Sequence, residues 1–214
     1  MSDDQDPQIL KIVIIGESSV GKTSIISQFV DKIFQEEIQS TVGGSFNSKT
    51  ILCEDLDKKV KLEIWDTAGQ ERYRSVTKMF YKDADIAVLV YDITNKDSYD
   101  ELKNYWVEQV KDSTRKGTNL VIVANKSDLI EKEQVDEDEA RNYARSINAS
   151  FFVVSAKDSI SVGELFKEIV KKYTGSKNVS IVDENDESAF HFKKIRKESI
   201  KLIAENPKKK KSCC

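Results

Sequence analysis

The chain is nearly without histidine and cysteine. Its one histidine, His191, stands near the C-terminal end, so the body offers no imidazole for catalysis. Three cysteines, Cys53, Cys213 and Cys214, cannot build a disulfide framework, which points to a reducing compartment. No stretch approaches the ~18 apolar residues of a membrane-spanning helix. The opening residues, Met1 to Asp6, are polar and acidic and do not read as a signal peptide. Charge of one sign is also missing. With 34 Lys/Arg against 37 Asp/Glu the net charge is −3, which does not suggest a nucleic-acid binder. The distribution is uneven, however. Residues 176–214 hold ten Lys/Arg and six Asp/Glu, a net of +4, which leaves −7 on the remainder. A basic end on an acidic body suggests that the end meets an anionic surface.

What the chain does have is a regular alternation of apolar runs and helical patterns. Ile9–Ile15, Val60–Trp65, Ile86–Asp92, Leu120–Ala124 and Phe151–Val154 read as buried strands. Helical patterns cover Ser24–Val30, Ser98–Lys111, Asp136–Ile147 and Val162–Tyr173, the last with Ser161 and Glu164 placed as a capping box. Phe46–Leu52 alternates and precedes Val60–Trp65 across a polar turn, which reads as an antiparallel hairpin at one sheet edge. The expected fold is α/β: a mostly parallel six-stranded sheet with one antiparallel edge strand and helices on both faces. Residues 8–175 form the domain and 176–214 a flexible tail whose first part, 176–188, reads as a polar linker. Residues 190–205 carry Phe192, Ile195, Leu202 and Ile203 among lysines. This is either a solvated tail or a basic amphipathic segment for a membrane or partner groove.

Between the first strand and the first helix stands Gly16-Glu17-Ser18-Ser19-Val20-Gly21-Lys22-Thr23, followed by Ser24. This is G-x-x-x-x-G-K-[ST] in the strand–loop–helix context that gives it meaning. Such a loop wraps a phosphate chain and offers it backbone N–H groups, and the helix behind points its positive end at the same anion. Lys22 would neutralise the β- and γ-phosphates, and the Thr23 hydroxyl would coordinate Mg²⁺.

A second motif chooses the base. Asn125-Lys126-Ser127-Asp128 follows the strand Leu120–Ala124, where ligands bind in parallel sheets. The Asp128 carboxylate would accept from guanine N1–H and N2–H₂, a donor pair that adenine lacks, and the Lys126 stem would lie along the base. Ser155-Ala156-Lys157, after the next strand, would place a backbone N–H on the guanine O6. A third motif, Asp66-Thr67-Ala68-Gly69-Gln70-Glu71, follows the strand ending at Trp65. Asp66 would hold Mg²⁺ through a water, Gly69 would offer its N–H to a γ-phosphate, and Gln70 would orient the attacking water as the catalytic residue. Thr41, in a glycine-flanked loop, is a candidate second metal ligand.

In this order and spacing the motifs resemble those of Ras-like small GTPases over about residues 8–174. The stretch Trp65-Asp66-Thr67-Ala68-Gly69-Gln70-Glu71-Arg72-Tyr73 and the terminal Cys213-Cys214 resemble the Rab branch. Gly16-Glu17-Ser18 and Ser40-Thr41-Val42-Gly43-Gly44-Ser45-Phe46 resemble its endosomal group, although Gly44 and a longer hairpin at Asp55–Lys59 depart from it. The resemblance implies a P-loop GTPase that binds GTP or GDP with Mg²⁺, hydrolyses GTP slowly, and regulates vesicle traffic as a monomer on the cytosolic face of endosomal or other intracellular membranes. It implies that Phe34 stacks on the guanine, that residues 35–47 and 67–82 are the two switches, and that Phe46, Trp65 and Phe80 read effectors. It also implies lipidation of Cys213 and Cys214 by geranylgeranyl groups. An exchange factor, a GTPase-activating protein, a GDP-dissociation inhibitor (GDI) and a prenylation escort protein are the expected partners. Two lipid chains beside Lys208–Lys211 would satisfy the requirement of two signals for stable anchoring. Two other readings stand beside the switch. A GTP-bound scaffold without turnover is opposed by Gln70 and Thr41, and a nucleoside kinase lacks a readable acceptor site.

Overall fold

Central strands that are buried on both faces explain the continuous apolar runs. The computed structural model describes residues 7–36, 41, 44–69, 79–114 and 117–182. In β1 (Gln8–Ile15) the side chains of Leu10, Ile12 and Ile14 enter one core, and those of Val13 and Ile15 enter the other. The same period of two divides β4 (Ile86–Asp92), with Val88 and Val90 on one side and Leu89 and Tyr91 on the other. It divides β5 (Asn119–Asn125) as well, with Val121 and Val123 against Ile122 and Ala124. Such strands belong inside a sheet covered by helices on both faces.

The first core is closed by α1 (Lys22–Val30) and α5 (Val162–Thr174), joined by Phe29 and Phe166 stacked at 3.8 Å between ring centroids. The second is closed by α2 (Lys96–Glu101), which continues through a π-helical turn (Leu102–Trp106) into α3 (Val107–Ser113), and by α4 (Glu137–Ser146). Tyr99, Leu102, Trp106, Val107 and Val110 form the buried stripe, while Tyr105 stays partly exposed. Asn95 caps α2 by accepting from the Ser98 N–H, and Asp136 caps α4 by accepting from the Glu139 N–H.

With β2 (Gly44–Cys53), β3 (Lys58–Thr67), β6 (Ser150–Val153) and β7 (Val179–Val182), the sheet runs β6-β5-β4-β1-β3-β2-β7. β1 pairs in parallel with β3 and β4, β4 with β5, and β5 with β6, while β2 and β3 are antiparallel. From β1 the chain goes out to β2, returns to β3 beside β1, and then crosses to β4, β5 and β6 on the other side, so the carboxyl ends of β1, β4 and β5 face one crevice at the point where strand order reverses.

Three expectations need correction. The sheet has seven strands, not six, and its outer strand beside β2 is β7, so the antiparallel β2 is not the edge. That strand lies inside the stretch 176–188 expected to be a linker. Asp55 in the hairpin between β2 and β3 supplies the reason. Its carboxylate accepts from the Lys177 and Asn178 N–H groups at 2.9 and 3.3 Å and from the Ser176 hydroxyl, while the Glu54 N–H donates to the Asn178 carbonyl at 2.8 Å. Val179 and Ile181 then pack on the first core. The capping box at Ser161 does not form. Ser161 adopts φ 56° and makes no side-chain cap, and Glu164 pairs with Lys167 at 2.7 Å instead. Residues 183–214, with the amphipathic segment, Lys208–Lys211, Cys213 and Cys214, lie outside the described residues. No helix among the described residues is long and apolar enough to cross a membrane.

Asp55 gives a test of the seventh strand. The Lys177 N–H, then the Ser176 hydroxyl, pull its carboxyl from 3.8 down to about 2. A depressed acid contributes stability above its unfolded value and loses it as pH falls through the folded one. Protection of the Val179–Val182 amides, corrected for intrinsic exchange, should therefore be full above pH 3.8 and fade toward about 2. At neutral pH, Asp55→Ala should speed their exchange by on the order of tenfold, with the unfolding midpoint of the domain nearly unchanged. Hydrogen exchange read by mass spectrometry checks both.

Candidate functional site

A cavity of about 450 Å³ opens at the carboxyl ends of β1, β4 and β5, within the size range of small-ligand sites. The structure places Ser18, Ser19, Gly21, Lys22, Thr23, Ser24, Phe34, Thr41, Gly69, Asn125, Lys126, Asp128, Ala156 and Lys157 on its wall. These come from six separate stretches of chain. Gly16, Glu17, Val20, Asp66 and Ser155 do not line it. Val20 is core, and Ser155 is fully buried. Gln70 lies outside the described residues.

The phosphate loop closes on Lys22. Its ammonium donates to the Gly16 and Glu17 carbonyls at 2.9 and 2.7 Å. Burial pushes the amine down to about 8, partly opposed by the nearby carboxylates of Asp66 and Glu17. Two glycines are required by space. A Cβ on Gly69 would lie 2.5 Å from the Glu17 carbonyl carbon and oxygen and 2.5 Å from Lys22 Nζ. Gly21, at φ +93°, opens α1, and a Cβ there would meet Asn125 Nδ2 at 2.3 Å.

Beside Lys22 a set of oxygens converges. Thr23 Oγ1 donates to Asp66 Oδ2 at 2.6 Å, Thr41 Oγ1 reaches the same oxygen at 3.3 Å, and the two hydroxyls are 3.0 Å apart. Burial raises the Asp66 carboxyl, against the hydrogen bond from Thr23 and the charge of Lys22. Its second oxygen, Oδ1, is buried without a hydrogen-bond partner. Hydroxyl and carboxylate oxygens around an unsatisfied buried acceptor fit a hard divalent cation such as Mg²⁺. No group of three or more His, Cys, Asp or Glu side chains that could hold a metal ion occurs among the described residues.

Asn125 joins the two halves of the cavity. Its Nδ2 donates to the Val20 carbonyl at 2.8 Å, and its Oδ1 accepts from the Ala156 N–H at 3.2 Å. The Ala156 N–H is thus already engaged by the protein. Asp128 is oriented by Ser155, whose hydroxyl donates to Oδ1 at 2.6 Å and accepts from the Asp158 N–H at 3.0 Å. Lys126 sits at φ +68°, and its ammonium pairs with Asp92 at 2.6 Å. Asp92 also accepts from the Thr94 N–H and hydroxyl at 2.8 and 2.7 Å. Sequence reasoning missed Asp92, although an acid closing an apolar strand is a visible signal. It also missed Gln35, Glu36 and Leu129 on the wall, which carry no motif signature.

Phe46, Trp65 and Phe80 stand together away from the cavity. Ring centroids are 5.2 Å apart for Phe46–Trp65 and 5.4 Å for Trp65–Phe80, and Phe46 is 48% exposed.

Comparison with known proteins agrees with this geometry. The family model of the Ras family matches residues 11–175. The Ras-related protein RabC of Dictyostelium discoideum is 37% identical over 177 residues, which cover 83% of this chain and 90% of that protein.

The Asn125 junction predicts a stability cost. Removing the carboxamide leaves the Val20 carbonyl and the Ala156 N–H unpaired, at about 1–3 kcal/mol each. Asn125→Ala should lower the unfolding free energy by about 2–4 kcal/mol, measured by denaturant titration of the ligand-free protein.

Proposed function

The chain belongs to the Ras family as a Rab-type small GTPase, and on that premise we propose a switch that binds GTP or GDP with Mg²⁺ and hydrolyses GTP slowly at a membrane surface. The observation that carries this reading is the convergence of the phosphate-loop, metal-binding and base-reading residues on one cavity. In this reading the backbone of residues 16–23 holds the phosphates, and Lys22 releases part of its carbonyl bonding to them. Phe34 and the Lys126 stem enclose the base, and Asp128, aimed by Ser155, accepts from it. Thr23 and Thr41 would hold Mg²⁺, with Asp66 acting through a water, and the charge of the ion would neutralise the phosphates. Gln70 orients the attacking water, and an activating partner completes the site. GTP and GDP differ at the γ-phosphate, which the segments around Thr41 and Gly69 border, so these segments change order between the two states.

Membership in the Rab branch supports a switch in vesicle traffic that works through effectors and regulators. The aromatic patch of Phe46, Trp65 and Phe80 is our candidate effector surface. The tail, with Lys208–Lys211 and lipidated Cys213 and Cys214, is our candidate anchor, with GDI and an escort protein as handlers. The endosomal assignment rests on the phosphate loop and the Thr41 segment alone.

Single-turnover hydrolysis of bound GTP is the direct test. The wild type should hydrolyse it with Mg²⁺ present. Gln70→Leu should bind GTP normally and hydrolyse it at least about tenfold more slowly. An unchanged rate would remove Gln70 from the mechanism.

Asp128→Asn should weaken GTP by at least about tenfold and favour xanthosine triphosphate, whose C2 oxygen accepts from an amide. Equal GTP affinity in both proteins would end the base-reading claim.

Fractionation of cells tests the anchor. Cys213→Ser with Cys214→Ser should be soluble, while alanines at Lys208–Lys211 should only loosen membrane binding, at roughly 1 kcal/mol per lysine. A double-serine protein still in the membrane pellet would place the anchor elsewhere.

A further inference from the structure

The π-helical turn lies where the helix passes the phosphate loop. Leu102–Trp106 form the turn, and the Val107 N–H donates to the Leu102 carbonyl five residues back. Such turns are rare and, where present, are frequent at functional sites. This one ends on Trp106, which is 1% exposed, with the edge of Tyr105 against its ring at 4.9 Å. The Trp106 indole Nε1–H donates to Glu17 Oε1 at 3.0 Å, across 89 residues of sequence. Glu17 is the second residue of the phosphate loop. Its side chain faces away from the cavity wall, and its carbonyl serves the site.

That carbonyl holds a crowded position. It accepts from Lys22 Nζ at 2.7 Å. Gly69 packs against it so closely that even a Cβ would fall at 2.5 Å. Lys22 is the cation of the phosphate site, and Gly69 is the residue assigned above to the γ-phosphate. A rotation of the Glu17 peptide would therefore move both together. The side chain of Glu17 reaches that peptide from outside the cavity, and the indole is one of the groups that hold it.

We propose that Trp106 is a positioning residue of the nucleotide site: through Glu17 it fixes the peptide shared by Lys22 and Gly69, and so sets the preference for a triphosphate over a diphosphate. The proposal rests on the reading of the cavity as a GTP site. A purely structural Trp106 would fill space and satisfy its own N–H. Its loss would then lower stability and weaken GTP and GDP alike. A positioning Trp106 acts where the γ-phosphate is read, and its loss changes the ratio of the two affinities.

The test uses the full-length protein and competition binding of GTP and GDP with Mg²⁺. Trp106→Phe keeps the bulk and removes the donor, and Glu17→Ala removes the acceptor. Each should reduce the GTP-over-GDP preference by about three- to tenfold, the range that one hydrogen bond commands. Glu17→Gln, which keeps an acceptor oxygen, should recover most of the loss seen with alanine. The double variant Trp106→Phe with Glu17→Ala should be no worse than either single one, because both break the same bond. A ratio unchanged in the single variants, or effects that add in the double one, would overturn the proposal. If Trp106→Phe does not fold, the alanine and glutamine variants at Glu17 decide, and an equal ratio in those two overturns it. Failure of the wild type to bind GTP would instead sink the function proposed above.

Discussion

The carboxamide of Asn125 is held between two backbone groups that belong to different loops, one behind the phosphate cradle and one behind the base. Its nitrogen must donate and its oxygen must accept, so an acid of the same shape would lose one bond and an apolar residue both. The junction also depends on Gly21, since any side chain there would occupy the space of the amide. β5 delivers Asn125 as its last residue, in register with Asp92 at the end of β4. The sheet thus sets the spacing of the site, and the amide transmits it to the loops. The spacing between the phosphate loop and the segment at Ala156 is tied to one buried residue.

Around this frame the site holds charges that suit a ligand better than they suit the protein alone. Lys22 is nearly enclosed, and burial lowers its amine to about 8, while the Asp66 carboxyl is raised with one oxygen unsatisfied. Buried charges are costly unless fully paired. A phosphate chain and a hard cation are the groups that would complete both. Surface pairs differ. Lys157 and Glu36 meet across the mouth at 3.5 Å with both side chains largely exposed, and such pairs contribute little. Affinity should therefore reside in the buried set rather than at the rim.

Local patterns made most of the fold and the site readable from sequence. β1, β4 and β5 are legible because burial on both faces writes an unbroken apolar run, and the phosphate loop because its chemistry sits in eight consecutive residues. What escaped are side-chain ties between distant positions: Lys126 to Asp92, Trp106 to Glu17, and Asp55 to Ser176. Neither partner in such a tie alters the periodicity around it. The π turn is silent for the same reason, since Leu102-Lys103-Asn104-Tyr105-Trp106 reads as ordinary helix and only tertiary packing selects the wider turn. Ser161 shows the converse. Its spacing to Glu164 satisfies the capping pattern, yet a left-handed backbone turns its hydroxyl away.

The seventh strand shows how tertiary context makes structure from a sequence with little preference for it. Val179-Ser180-Ile181-Val182 is short, follows a polar turn, and precedes a charged segment, so composition favoured a linker. Without it, β2 would end the sheet with a row of unpaired backbone groups, the arrangement that invites foreign strands. The lengthened hairpin resolves this by carrying Asp55 to the one place where it can gather the N–H groups of Lys177 and Asn178. Once that turn is fixed, alternation sends Val179 and Ile181 to the core beside α5, where Ile181 Cδ1 comes within 3.8 Å of a Cβ built on Gly163. The last described residues are thus held by a sheet edge and one carboxylate, beyond the end of the last helix.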